Sequence, residues 1–281
     1  MTTENIIDQA VKSTQIGENL SEPEQERQKQ EKVIFFTVAD KNNIDYALKL
    51  KNSLKKFHPD IPLKIYGEKD LAKIKDPGKF YRATPLFGRL LLRDYDLVIK
   101  IDADSIVLGN LKHVIENQTY DVGAVLNNNG VTPHVTLPGI PPNYYINCGF
   151  VAMRSKEFVN TWWDVCNSFI FNGLPYKEQD VLNYMFYTGK WSANNFDATT
   201  PYWHGLIANG HRPKFALDKD NQVYVDIPIA ENQIMRKYIK VYHAAGGNVV
   251  YKQGQKLNFK LYFPPEVAEY MEWLGSDEKS N

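Results

Sequence analysis

The sequence predicts an α/β fold built on a mostly parallel central sheet, and three observations predict it. A β-branched and aromatic run, Val33-Ile34-Phe35-Phe36-Thr37-Val38, opens the apolar part of the chain. A helix-spaced segment and a second short apolar run, Leu63-Lys64-Ile65-Tyr66, follow it. Strand, helix, strand in that order is the plan of a parallel unit. Further on, Leu97-Val98-Ile99-Lys100-Ile101 is a third strand, and it runs straight into Asp102-Ala103-Asp104.

The elements are read in chain order. Residues 1–31 contain the polar run SEPEQERQKQEK and read as a flexible or loosely helical arm. The folded domain is expected over 32–275, with a solvated tail at 276–281. Ile44 to Phe57 carries apolar residues at Tyr46-Ala47, Leu50, Leu54 and Phe57, a helical spacing that His58-Pro59-Asp60 ends. A helix is expected over Pro85 to Leu92, with proline at its first turn. Asp121 to Val125 and Tyr145 to Met153 read as strands, separated by a long loop at 127–143. Glu157 to Phe171 and Lys177 to Tyr187 read as helices. The segment 190–220 reads as irregular and aromatic, and Lys240 to His243 as a late strand.

Composition bounds the function. The chain has 281 residues, 43% hydrophobic and 23% charged, enough for one large domain or two small ones. Its 33 basic and 33 acidic side chains cancel, so no broad cationic face for nucleic acid is expected. Cys148 and Cys166 are too few for a disulfide framework or a zinc site. No run of about 18 apolar residues is present, and the N-terminus lacks the plan of a signal peptide, so a cytoplasmic location without a transmembrane segment is expected.

The chemistry centres on residues 98–111, VIKIDADSIVLGNL. An apolar strand delivers two carboxylates, one residue apart, to its C-terminal end, where open α/β sheets bind ligands. Two carboxylates so spaced suit one hard divalent cation, manganese or magnesium, whose shell substrate phosphates complete. Zinc would call for His or Cys.

Phe87-Gly88-Arg89-Leu90-Leu91-Leu92 followed by Asp94 to Leu111 resembles the core signature of glycosyltransferase family 8, which includes glycogenin and bacterial lipopolysaccharide glycosyltransferases. Further segments resemble that family in the same order: Phe36 to Asp40, Ser53 to Lys56, Ile146 to Met153, Glu178 to Asn183, and Val241-Tyr242-His243. The likeness spans residues 33–253. It implies a GT-A fold, a Rossmann-like α/β unit with a mostly parallel sheet. It also implies a UDP-sugar donor held through manganese or magnesium, a glycan, lipid-linked sugar or protein acceptor, and retention of anomeric configuration.

The resemblance assigns residues. Asp102, Asp104 and His243 would bind the metal, beside Ala103. Thr37, Ala39 and Asp40 would line the base and ribose. Arg89 would contact the donor. Asn147 and Gly149 would face the sugar, with Gln179 and Asp180 at the reacting centre. Gly246 and Lys252 would reach the diphosphate, although the family's late His-x-x-Gly-x-x-Lys-Pro-Trp keeps only its histidine and glycine in place here. Tyr144, Tyr145, Trp191, Tyr202 and Trp203 could stack on sugar rings, but most of them read as packing, with an acceptor role resting on the irregular 190–205 loop, and Cys148 reads as packing. Two other readings stand beside this one. A nucleotidyltransferase would carry a Gly-rich loop after the first strand, where this chain has Ala39-Asp40-Lys41-Asn42-Asn43. A sugar- or nucleotide-binding module without turnover would share the fold.

Overall fold

The structure is a computed structural model, and it describes residues 31–74, 79–116, 119–127, 137–141, 144–168, 173–196, 202–204, 214–230, 233–244 and 263–277. These all fall in one compact unit, Glu31–Asn281. The arm at 1–30 and the tail at 278–281 lie outside the described residues.

β1 (Val33–Val38), α1 (Ile44–Phe57) and β2 (Leu63–Tyr66) form the expected opening unit, with β1 and β2 parallel. β3 (Leu97–Ile101) joins the other side of β1, also parallel. β5 (Val122–Leu126), β6 (Ile146–Met153) and β7 (Ala193–Asn195) complete a six-stranded sheet of order β2-β1-β3-β6-β5-β7. Only β6 is reversed, antiparallel to both β3 and β5. The start of β6 therefore lies beside the end of β3.

Both faces of this sheet are covered, which explains the unbroken apolar runs. Ile34, Phe36 and Val38 point to one face, where they pack with Phe87 of α3 (Lys79–Leu91) and Trp162 of α5 (Lys156–Cys166). Phe35, Ile99 and Ile101 point to the other, against Leu50 and Leu54 of α1. A short α2 (Glu68–Leu71) precedes α3, and α4 (Lys112–Ile115) follows the Asp-x-Asp segment. α6 (Glu178–Tyr187) packs on β6 through the face of Trp162. Gly123 of β5 is a close-approach position: a Cβ there would lie 2.1 Å from the Phe196 ring. Phe196 is itself buried, so its ring takes the space a side chain would need.

Two smaller sheets adjoin. β4 (Ser105–Val107), β12 (Val241–His243) and β8 (Tyr202–His204) form one, in the order β4-β12-β8. β9 (Phe215–Leu217), β10 (Val223–Ala230) and β11 (Gln233–Tyr238) form the other. Their core includes Val225, Tyr242 and, from α7 (Pro265–Gly275), Met271.

The differences from the sequence reading have physical causes. The third helix begins at Lys79, so Pro85 lies inside it and is not at its first turn. Burial of Arg82, Ala83 and Thr84 holds the turn before the proline. The helix expected to reach Phe171 ends at Cys166. The stretch read as irregular holds β7, β8 and β9, three residues each, too short to show a period.

Candidate functional site

Asp102 follows β3 directly. Its backbone N–H donates to the Gly149 carbonyl on β6 at 2.8 Å, which fixes the point where the strand ends. A turn carries the chain back, with Ser105 N–H donating to the Asp102 carbonyl at 3.1 Å, and β4 begins. β12 pairs antiparallel with β4, His243 opposite Ser105, and Ala244 N–H donates to the Asp104 carbonyl at 2.9 Å. Pairing across the second sheet thus aims His243 at the two aspartates. Farther along the same segment, the Leu111 N–H donates to His58 Nε2 at 2.9 Å and ties it to the end of α1.

His243 Nε2 lies 3.3 Å from Asp102 Oδ2 and 3.2 Å from Asp104 Oδ1. One ligand atom from each of the three residues falls within a 4.8 Å span. Neighbouring ligands of an octahedral ion with bonds of about 2.3 Å are about 3.2 Å apart, between the dimensions of magnesium and calcium sites. Two carboxylates and an imidazole at this spacing fit a divalent cation such as manganese. The electrostatics agree. Burial works against the charge on Asp104, and the His243 imidazolium outweighs it, so that carboxyl sits below its usual range. Burial likewise opposes charge on His243, and Asp104 and then Asp102 outweigh it, so its pKa is raised. Without an ion, the two carboxylates favour the protonated form of His243.

This gives a pH dependence with a defined sign. The folded chain holds the His243 proton above the ordinary pKa of 6.5, where the unfolded chain has lost it. The stability this contact adds is complete below that value and disappears as pH rises through the folded pKa. The metal-free protein should therefore show a melting temperature that falls across this window. Manganese, which binds the neutral ring, should reverse the slope. Melting scans in chelator and in manganese, with His243→Gln as the reference, measure it. Identical pH profiles for parent and variant in chelator would remove the proton from the site.

Lys100 is the residue that the sequence reading missed. It lies two positions before Asp102 on the same strand face and is buried. Its Nζ donates to the Cys148 carbonyl at 2.7 Å and is ion-paired with Asp102. Burial pulls its pKa down, Asp102 outweighs that, and the ammonium stays charged. A lysine inside a fully buried strand two residues before the first aspartate was the available signal. Glu178, at the start of α6, was also passed over. Its Oε2 is sealed from solvent without a hydrogen-bond partner, and burial pushes its pKa up to about 8.

β6 supplies the next group. Asn147 Oδ1 accepts from Gly149 N–H at 2.6 Å, and its Nδ2 donates to Asn127 at 3.1 Å. Gln179 Oε1 accepts from Cys148 N–H at 2.9 Å, and its Nε2 donates to the Tyr145 hydroxyl at 3.2 Å. Asn147, Gly149 and Gln179 thus gather on the rim that holds Asp102. Ala39 packs against Ala103, which brings the end of β1 to the same rim. Asp40 caps the turn that follows, accepting from Asn42 N–H at 2.9 Å and from Asn43 N–H at 3.1 Å.

Four expectations are corrected. Asp180 is fully buried, with Oδ1 accepting from Tyr145 OH at 2.5 Å and Oδ2 from Tyr176 N–H at 2.8 Å. Both its oxygens are committed to holding the sheet-to-helix junction, so it is a positioning residue. Thr37 and Ala39 are buried, and the Thr37 hydroxyl has no partner among the described residues, so neither side chain lines an open ribose pocket. Arg89 lies in the last turn of α3, which returns to the start of β3, the end away from Asp102. It lines a recess with Arg93, Lys156 and Asn160. Among the aromatic candidates, Tyr145 is buried and Trp191 packs edge-on against Phe158 at 5.3 Å, so both are packing residues. Burial pushes the Cys148 thiol well up, in line with a packing role. Gly246, Lys252 and the side chains of Tyr202 and Trp203 lie outside the described residues.

A mostly parallel sheet with one reversed strand, and an Asp-x-Asp turn at the end of its third strand, is the fold of the GT-A glycosyltransferases. The structure resembles that of a glycosyltransferase involved in glycosylation of the major capsid of PBCV-1, with TM-score 0.50 and 15% identity, covering 86% of this chain and 98% of that one. Galactosyltransferase LgtC, solved with donor and acceptor sugar analogs, aligns with TM-score 0.49 and 16% identity over 88% of this chain and 98% of its own. No family model matches the sequence, and no curated protein matches it. The likeness is one of fold. Among the described residues, no helix is long and apolar enough to cross a membrane.

Proposed function

We propose that this chain is a metal-dependent glycosyltransferase that moves a hexose or pentose from a UDP-sugar to a hydroxyl of a glycan, lipid-linked sugar or protein. The observation that carries this reading is the Asp102–Asp104–His243 triangle at the carboxyl rim of a GT-A sheet. A bound divalent cation would supply charge against the diphosphate as it departs. The bond from the anomeric carbon to the diphosphate oxygen breaks, its electron pair stays on that oxygen, and the acceptor oxygen bonds the same carbon and passes its proton to the departing diphosphate. Asn147 and Gln179, whose amides are bonded to Gly149 and Cys148, shape the sugar side of the rim, and Asp40 is the side chain offered to the nucleoside. Lys100 holds Asp102 in place and adds positive charge beneath the site. Retention of configuration is part of the proposal, on the family resemblance.

The test is thermal stability against a panel of nucleotide sugars, with and without manganese. A ligand at a hundred times its dissociation constant stabilises the folded state by about 2.7 kcal/mol, a clear shift in melting temperature. Stabilisation by a UDP-sugar only with manganese is the expected result. No shift with any member of the panel would reject a nucleotide-sugar donor. Binding without donor hydrolysis or transfer would favour a module that has kept the fold and lost turnover.

A further inference from the structure

On the sheet face opposite α1, helices α3 and α5 run side by side and leave a seam open to solvent. On α3 and the turn after it, Arg82, Leu86, Arg89 and Arg93 follow one another at four, three and four residues, a single helical stripe. On α5 and its C-terminal cap, Lys156, Asn160, Trp163 and Asn167 repeat the same spacing. Leu86 and Trp163 line one cavity together, while Arg93 and Lys156 line another, so the helices are antiparallel and the stripes face each other. The seam is about 16 Å long at 1.5 Å per helical residue.

Its two ends differ in chemistry. The first is a cavity of about 490 Å³. Its floor is the stacked pair Tyr66 and Phe87, with ring centroids 3.7 Å apart and planes 3° from parallel. The polar groups there are already engaged. Asp70 accepts from Gly67 N–H and Lys73, Arg82 Nε donates to the Cys166 carbonyl, and Asn167 Nδ2 donates to the Trp163 carbonyl. What remains exposed to an occupant is mainly hydrocarbon and ring, including Leu90 at 37% exposure. The second is a recess of about 180 Å³ lined by Arg89, Arg93, Lys156 and Asn160. Among the described residues, neither arginine nor Lys156 has an ion-pair or hydrogen-bond partner. Three cationic side chains that line one recess make it a place where an anion is favoured. Guanidinium groups take phosphate oxygens in pairs, and an ammonium adds a third contact.

We propose that the α3/α5 seam binds a single-chain lipid phosphate. Its headgroup lies on Arg89, Arg93 and Lys156, and its chain runs along Leu90, Leu86 and Trp163. One molecule with an anionic end and a hydrocarbon end matches both compartments. A peptide fits less well, because the apolar end offers few uncommitted groups to its backbone N–H and C=O. The headgroup end lies by the start of β3, away from Asp102, and the apolar end reaches Tyr66 at the end of β2, whose carbonyl accepts from Ala39 N–H. The inference is independent of the proposed glycosyl transfer.

The test uses the full chain and dodecyl phosphate below its micelle concentration, followed by calorimetry and by tryptophan emission. Dodecyl maltoside, with the same tail and a neutral head, and inorganic phosphate are the two partial ligands. Dodecyl phosphate should bind at least tenfold more tightly than either. Arg89→Gln with Arg93→Gln should weaken it at least tenfold while leaving the circular dichroism unchanged, and Trp163→Phe should remove the emission change while binding persists. Equal affinity for inorganic phosphate would overturn the proposal in favour of a plain anion recess. Equal affinity for dodecyl maltoside, or unchanged affinity in the double variant, would show unspecific detergent binding and overturn it too. Tighter binding of an acidic amphipathic peptide than of dodecyl phosphate would replace the lipid with a protein partner, and an absence of binding would end the proposal.

Discussion

Asp104→Asn should fold as the parent does and lose metal-dependent glycosyl transfer by about a hundredfold or more, the scale of removing one electrostatic element from a transition state. The substitution is nearly isosteric, and the backbone bond from Ala244 N–H to the residue 104 carbonyl does not depend on the side chain. Packing is therefore kept while a ligand charge is lost. The change also takes from His243 the carboxylate 3.2 Å away, which does most to raise its pKa against the opposing effect of burial. The variant's melting temperature in chelator should accordingly depend less on pH than the parent's. Initial rates with a UDP-sugar and manganese, beside circular dichroism, measure the effect. Full activity in a folded variant would take the metal assignment with it.

Trp162→Ala should cost about 3–5 kcal/mol of folding stability, the range for removing a large buried aromatic. Trp162 is fully buried between the sheet and α6, and its Nε1 donates to the Glu178 carbonyl at 3.0 Å. That carbonyl belongs to the first residue of α6, just before Gln179 and Asp180. Truncation opens a cavity and frees the start of the helix that reaches over the rim. Trp162→Phe keeps most of the volume and loses only the hydrogen bond, so its cost should be about 1 kcal/mol. Urea unfolding of the three proteins separates the two contributions. A loss below 1 kcal/mol in the alanine variant would mean that α5 does not anchor α6 through this side chain.

The central sheet was legible because its strands are buried on both faces and read as unbroken apolar runs. β1, β2, β3 and β6 appear within a residue or so of where the sequence places them, and α1 coincides with its prediction. Asp102, Asp104 and His243 come together because strand ends and one register suffice to gather them. What failed did so for stated reasons. β8 and β9 are three residues long, and distant pairing partners define them, not any local period. The β10–β11 hairpin and α7 were not assigned at all. Lys100 was hidden because an apolar-strand reading discounts a single polar residue, when burial was its signal. Asp180 and Thr37 show the opposite limit, since a motif names a residue without saying whether its polar atoms face a ligand or a neighbour. Arg89 is the same lesson at longer range: helix and strand run in opposite directions, so it lies at the start of β3 while Asp102 lies at its end.

The two halves of the candidate metal triangle belong to different sheets, Asp102 to the rim of the large one and His243 to β12 of the small one. Coordination would therefore close a ring of roughly 140 residues, a loop whose closure entropy grows only slowly with its length. Such a ring behaves as a reversible staple. Chelation should loosen β12 and its neighbours before the large sheet, so their amides should exchange with solvent sooner. Local metal concentration would then set how firmly the small sheet is held, separately from any part the ion plays in chemistry.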